Sequence, residues 1–305
     1  MVRPARVFVA GLLALALLGS ACSEEATPPA ENAGGPYPLT LTDDEGVETT
    51  LEAPPERIVT FAPSHTEIVF GLGLGDRLVG ISGAFDDYPP EAQEVEAVAG
   101  QSGVEPNIEK VVSLEPDLLL TAFIGGEWKE RLRELEVPVF TTLAASLEDT
   151  LSDIGTIGTL LGAQGAANEL VAGLALDAGT VEERVGEARP VTCFLDLSDL
   201  FTVGPGSLEF DLLRKAGCEP ITATADDSYP QWSLEQLVED DPDVYLVAEG
   251  VPVEDVAKQQ GVRNLTAVLE GRIHEVNADL ISRPGPRVVE GIEELADALH
   301  EEAAA

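Results

Sequence analysis

Short apolar runs rich in Val, Ile and Leu alternate along most of this chain with stretches whose apolar positions recur at three- and four-residue spacing. The first pattern predicts buried strands and the second predicts helices with one face turned inward. Strands are predicted at 57–61, 78–82, 117–122 and 137–140, interleaved with helices at 64–72, around Glu109 and at 128–135. Ser64 followed three residues later by Glu67 has the pattern of a capping box at the start of the 64–72 helix. The order then returns, with strands at 191–197, 220–222, 243–248 and 273–276 and helices at 208–216, around Glu235 and at 253–260. Strands alternating with helices imply parallel sheets with right-handed crossovers. Between the two series, residues 164–187 contain no Pro and keep Ala167, Leu170, Val171, Leu174, Val181 and Val185 at helical spacing. A helix of about 22 residues is about 33 Å long, a stiff connector unlike the paired flexible strands that permit wide hinge closure. The fold class predicted is α/β: two Rossmann-like lobes with mainly parallel sheets, joined by one long α-helix, with a cleft between them. The lobes are expected at 37–163 and 188–301.

One motif occurs in both lobes. A carboxylate opens a short helix that ends in Pro-Asp and runs into an apolar strand, once from Asn107 through Glu109, Pro116 and Asp117, and again from Ser233 through Glu235, Pro242 and Asp243. Glu109 and Glu235 are 126 positions apart. Solenoid repeats recur every 20–50 residues or so, which makes this spacing one of domains and not of a repeat array.

The first residues read as an export signal. Arg3 and Arg6 precede an apolar run over 7–18, and Gly19, Ser20 and Ala21 lead into Cys22. The run is shorter than the roughly 20 apolar residues that a spanning helix needs. A Cys directly after small residues resembles a bacterial lipobox, although Gly19 stands where Leu is usual. The resemblance implies a signal peptide over 1–21 and a lipid on the Cys22 sulfur that anchors the protein to the cell membrane; an ordinary secretory signal is the other reading. Residues 22–36 are rich in Ala, Pro, Glu and Gly without periodicity and read as a flexible tether.

Composition narrows the partners. With 17 basic and 56 acidic residues the formal net charge is −39, which argues against nucleic acid, since phosphate binding needs cations. With Cys22 assigned to lipid, Cys193 and Cys218 remain; outside the cytoplasm they can form a disulfide, and both equally suit small buried hydrophobes. Catalytic and metal signatures are weak. Ser64 and His65 are neighbours, but no Gly-x-Ser-x-Gly elbow is present. Gly71, Gly73 and Gly75 follow a helix and lack the phosphate-loop spacing, and His65, His274 and His300 show no metal-ligand spacing. A secreted hydrolase is therefore disfavoured, and neither an enzyme nor a cofactor is expected.

Several ordered motifs carry a family resemblance: the run Arg57-Ile58-Val59-Thr60-Phe61-Ala62-Pro63-Ser64-His65-Thr66-Glu67-Ile68, then Asp87-Tyr88-Pro89-Pro90-Glu91-Ala92, then both Glu-to-Pro-Asp corners, then Arg283-Pro284-Gly285-Pro286-Arg287. Together they resemble the substrate-binding proteins of ABC importers for vitamin B12 and ferric siderophores, over about 38–300. The resemblance implies an extracytoplasmic monomer that holds its ligand between the lobes through aromatic contacts and delivers it to a permease dimer with its ATPase. Matched by motif, the ligand-binding candidates are Tyr88, Phe201, Tyr229, Trp232 and Arg283, with Asp279 four residues before the arginine; Trp128 faces either the cleft or its own lobe. An aromatic beside a Pro also serves to pack a loop, which is the plainer role for Tyr88 and Tyr229. Aromatic rings bury about 150–250 Å² each, which suits a large, partly apolar planar ligand. A corrinoid is the first expectation, a ferric siderophore the second, and haem the third, with His65 or Tyr88 as the iron ligand. In the family the repeated glutamates, here Glu109 and Glu235, meet arginines of the permease; as bare helix-start acids they would contribute about 0.3–1 kcal/mol each.

Overall fold

The structure, a computed structural model, describes residues 37–83, 85–100, 103–186, 188–189 and 191–300. The expected signal peptide, Cys22 and the tether lie outside these residues. The described chain begins with an antiparallel hairpin, β1 (Leu39–Thr42) and β2 (Glu48–Leu51). Its strands are short and half polar, so periodicity did not signal them. Asp43 fixes the turn by accepting the Glu45 and Val47 amides at 3.0 and 2.8 Å.

The first lobe then runs β3 (Ile58–Phe61), α1 (Pro63–Gly71), β4 (Leu78–Gly80), α2 (Ile108–Ser113), β5 (Leu118–Thr121), α3 (Glu127–Glu134) and β6 (Val139–Thr141). Two helices follow, α4 (Leu147–Leu160) and α5 (Gln164–Gly186), the latter being the long connector at 23 residues. The second lobe runs β7 (Val191–Asp196), α6 (Leu208–Lys215), β8 (Cys218–Pro220), α7 (Leu234–Asp240), β9 (Val244–Ala248), α8 (Val253–Val256), α9 (Thr266–Leu269) and β10 (Ile273–Val276), and closes with α10 (Ala278–Ser282) and α11 (Val288–His300). The sheet orders are β4-β3-β5-β6 and β8-β7-β9-β10, with every pairing parallel. In both lobes the second strand lies outside the first, and the third and fourth follow on the other side.

Alternation along the strands divides the core into three parts. Ile58, Leu118, Leu120 and Phe140 point to one face of the first sheet, and Cys193, Leu195, Val244 and Leu246 to one face of the second. Both sets belong to one continuous apolar cluster that also contains Ile154 of α4, Leu174 of α5 and Ile292 of α11. The opposite faces carry separate clusters, one with Val59, Phe61, Leu119 and Val139 and the other with Phe194, Tyr245 and Val247. Period-two alternation sends neighbouring residues to opposite faces, so each sheet is apolar on both sides. The lobes thus share a core beneath the connector, and α4 and α11 add to it what a lone helix could not.

The repeated corner has the same physical basis twice. Asn107 caps α2 by accepting the Lys110 amide, and Ser233 caps α7 by accepting the Gln236 amide. Glu115 and Asp241 precede their prolines with φ of 48° and 37°, the left-handed turn that ends each helix. Asp117 then accepts the Glu56 and Arg57 amides at 2.8 and 3.0 Å, and Asp243 accepts the Thr192 amide at 2.9 Å. Each Asp therefore clasps the start of the first strand of its lobe, next to the pairings Ile58 with Leu118 and Cys193 with Val244.

Several expectations need correction. Helix α1 starts at Pro63 with Ala62 as its cap, and Ser64 makes no capping hydrogen bond; Pro occupies the first turn, where its missing N–H costs nothing, and Glu67 is drawn into the ion pairs described below. The strand expected at 220–222 lies at Cys218–Pro220, because pairing with β7 begins directly after Gly217, whose φ is 85°. The helix expected at 253–260 stops at Val256, and the chain turns at Gly261 with φ 102°. Helix α4 was not anticipated. Cys193 on β7 and Cys218 on β8 are joined by a disulfide with Cα atoms 5.9 Å apart.

Candidate ligand-binding cleft

In parallel sheets the segments after the strands gather at one edge, where ligands bind in open α/β folds. Here those segments carry exposed aromatics. Tyr88, in the segment after β4, is 43% exposed. Phe201, after β7, and Tyr229, after β8, are 41% and 42% exposed and stack with ring centroids 6.3 Å apart and planes 23° apart. An isolated β-bridge from Phe201 to Gln231 holds the two segments together, and a second, to Ser198, closes the turn before Phe201. Beneath them the Tyr229 hydroxyl donates to Glu209 Oε2 at 3.0 Å. Burial raises the Glu209 carboxyl, against the pull of hydrogen bonds from its own backbone, Ser282 and Tyr229. Burial, then the neighbouring Glu209 charge, pushes the Tyr229 phenol up as well. The phenol keeps its proton and can anchor the ring by donating it.

The two lobes meet in an ion cluster. Glu67 on α1, its side chain 1% exposed, accepts from Arg287 Nη2 at 2.6 Å and Nε at 2.9 Å, and pairs with Arg283 Nη1 at 3.3 Å. Arg283 also reaches Asp87 at 3.4 Å and Asp279 at 2.6 Å. The Arg287 guanidinium lies 4.1 Å from the Tyr88 ring centroid, a cation–π contact. Two-point pairing to Arg287 is the strong, geometrically specific form of the interaction, and the hydrogen bond to Glu67 raises Arg287 further above its ordinary value. Glu67 and Arg287 were missed as partners because they lie 220 positions apart, and no local pattern links a lone acid on α1 to an arginine just before α11.

The other candidates separate by burial. Trp128 is 6% exposed and packs edge-on against Phe61, centroids 5.7 Å apart, which is the helix-packing role left open for it. A Cβ at Gly126, whose φ is 100°, would meet Trp128 Nε1 at 2.4 Å, so the glycine lets the indole tuck in. Trp232 is 8% exposed in the core of the second lobe; it supports the Phe201 segment by donating its amide to Leu200 at 2.9 Å and is not an exposed cleft aromatic. Asp279 pairs with Arg283 at 2.6 Å. His65 is 2% exposed and bonded to Thr142 Oγ1 at 2.9 Å, with burial lowering its pKa to about 4; so placed, it is not the iron ligand entertained for haem. Sequence reading also passed over Phe85, Phe123 and Ile124, which are 70%, 41% and 78% exposed. The only sequence signal for the last two was an apolar pair placed before two glycines.

Glu109 and Glu235 are both exposed in the first turns of α2 and α7. Among the described residues no group of three or more His, Cys, Asp or Glu is arranged to hold a metal ion, and no helix is long and apolar enough to cross a membrane.

Comparison with known proteins agrees with this architecture. The profile described as periplasmic binding protein matches residues 58–280. The chain belongs to the periplasmic binding protein family. It is 33% identical over 305 residues to the cobalamin-binding protein of Halobacterium salinarum, covering 94% of this chain and 82% of that one. It is 32% identical over 276 residues to the uncharacterized ABC transporter substrate-binding lipoprotein YvrC of Bacillus subtilis, covering 87% and 86%. The crystal structure of an ABC-type Fe3+-hydroxamate transport system from Saccharomonospora viridis superimposes with a TM-score of 0.73 at 26% identity, covering 87% of this chain and 99% of that one. Extracytoplasmic substrate binding for an ABC importer is thus the family's role.

Proposed function

We propose that this protein is a lipid-anchored, monomeric binding protein that captures a corrinoid in the cleft between its lobes and hands it to a permease dimer. The observation that carries the reading is the aromatic set. Phe201 and Tyr229 form a stacked platform held from below by Glu209, and Tyr88 lies on a fixed guanidinium. Rigid, half-exposed rings suit a broad planar ligand at low entropic cost. The likeness to a cobalamin-binding protein over most of both chains supports the same choice. A ferric hydroxamate is the second reading, favoured by the fold shared with the S. viridis structure. Titration of tag-purified protein with cyanocobalamin, ferric hydroxamates, ferric catecholates and haem, followed by tryptophan fluorescence, separates them. Saturable quenching is expected for cyanocobalamin; saturation by a ferric chelate alone replaces the corrinoid reading.

Glu109 and Glu235 serve in this reading as two docking points for the permease. Both are exposed and neither belongs to the ion cluster of the cleft. The E109K/E235K double variant is expected to abolish ligand-stimulated transport in reconstituted vesicles while ligand affinity is unchanged. A loss of affinity counts against docking. Anchoring through Cys22 predicts that Cys22→Ser releases the protein from the membrane fraction.

A further inference from the structure

The cationic side chains at the edge of the cleft are few and already committed. Segments 81–107, 122–126, 142–146, 197–207, 221–233 and 249–252, which follow strands of the two sheets, contain no Lys, Arg or His. They do carry exposed acids, including Asp87, Asp199, Asp226, Asp227 and Glu249. Lys129, just beyond one segment, has a side chain 2% exposed and is paired with Glu45 at 2.6 Å. Only the segment after β10 brings cations, Arg283 and Arg287, and these face three carboxylates, Glu67, Asp87 and Asp279.

We propose that the cleft selects its ligand by charge, taking neutral or cationic ligands and rejecting anionic ones, because Arg283 and Arg287 are neutralised by Glu67, Asp87 and Asp279. This rests on the reading of the cleft as the ligand site and extends it to a substrate class. An anionic ligand arriving at the cluster has to displace a two-point carboxylate whose side chain is 1% exposed, or else lie near the exposed carboxylate of Asp87, only part of whose charge is met by Arg283 at 3.4 Å. Specificity of this kind comes from what the site repels as much as from what it holds. A neutral, amide-rimmed ligand meets neither obstacle and can still accept from the outer edges of the two guanidiniums.

The test uses matched pairs that differ in charge and little in shape. One pair is cyanocobalamin and its monocarboxylic acid, in which one side-chain amide becomes a carboxylate. The other is a ferric trihydroxamate with a free amine and its succinylated form. Affinities are read at low and high ionic strength, with a ferric tricatecholate as a strongly anionic third probe. We expect the anionic member of whichever pair binds to be at least tenfold weaker, and the gap to shrink in 1 M salt, where the Debye length is about 3 Å. Preference within the hydroxamate pair, with no corrinoid binding, removes the corrinoid reading and keeps the charge rule. Equal or tighter binding of the carboxylate member, or tightest binding of the catecholate, overturns the charge rule, whatever becomes of the corrinoid. Glu67→Gln, which leaves the arginines underpaired, is expected to bring the carboxylate member level with its amide partner. Because Glu67 is buried between the lobes, the D87N/D279N variant provides a second measurement on exposed positions, with the tenfold gap falling to about threefold. A gap unchanged in both variants assigns the selectivity to other residues and refutes the cluster's role.

Discussion

The two lobes agree closely at their helix-to-strand corners and differ at the edges that flank the proposed cleft. At the corners, cap, left-handed turn, Pro and clasping Asp recur residue for residue. At the edges, the first lobe offers Phe85, Tyr88 and Phe123, while the second offers a stacked pair fixed to Glu209 and two arginines. The corner solves one packing problem that both sheets share, so equivalent positions solve it twice, with Asn107 or Ser233 as the cap and Glu115 or Asp241 at the turn. An unsymmetrical ligand presents different surfaces to the two lobes, and edges that hold it have no reason to match. In the proposed docking a symmetric permease dimer presents the same surface twice, and each corner carries one exposed glutamate.

Four measurements test where the lobes are alike and where they part. The largest effect is expected where the lobes meet. Glu67→Ala strands Arg287 and Arg283 without their buried partner, and loss of one member of a buried ion pair costs about 3–5 kcal/mol; urea denaturation should show this, and a loss under 1 kcal/mol would mean that the cluster is solvated. The disulfide belongs to the second lobe alone. Its replacement in C193S/C218S should cost about 2–4 kcal/mol, read as a melting temperature lower for the variant than for the oxidised wild type.

The third measurement concerns a feature of the first lobe, the chain of His65, Thr142 and Asp153. Burial lowers His65 from 6.5 to about 4, so the unfolded chain takes up a proton that the folded one does not. Its contribution is complete above pH 6.5 and is lost as the pH falls toward 4, in total up to about 3 kcal/mol. Burial raises Asp153 from 3.8 to about 7, against a hydrogen bond from Thr142 and with the charges of Asp44 and Asp149 adding to the rise. That contribution is complete below pH 3.8 and is lost as the pH rises toward 7. The slopes oppose each other between about pH 4 and 6.5, so wild-type stability should be nearly level there. His65→Gln should fall in stability from pH 4 to 7, whereas Asp153→Asn should gain from pH 4 to 6.5. Parallel curves for all three proteins would refute this account. The smallest effect tests the symmetry itself: Asp117→Ala and Asp243→Ala each remove hydrogen bonds to strand-start amides that water can partly replace, for about 0.5–1.5 kcal/mol, and unequal losses would show that one corner matters more to its sheet.

Much of the fold could be read before any coordinates. The α/β class, the strands at 57–61 and 243–248 and the connector at 164–187 rest on periodicity, which is local in sequence. The hairpin escaped because its four-residue strands are half polar. The Ser64–Glu67 pair has a capping pattern, but Pro63 already fixes the first turn and Glu67 is taken by arginines 216 and 220 positions away. Trp128 and Trp232 show the same limit, since a sequence can place an indole near a cleft without stating which side of the backbone it occupies.

The sequence alone carried the alternation of elements, the two-lobe repeat and its corners, since these depend on side-chain period, caps and prolines within a few residues of one another. It also determined a strongly acidic chain whose strand-end segments are almost without cations. Packing of distant segments settled which aromatics stay exposed, joined the lobes through one apolar core, and spent Arg283 and Arg287 on Glu67, Asp87 and Asp279. Burial and ion pairing across some 200 positions depend on how sheets and helices stack, and no local pattern carries that information.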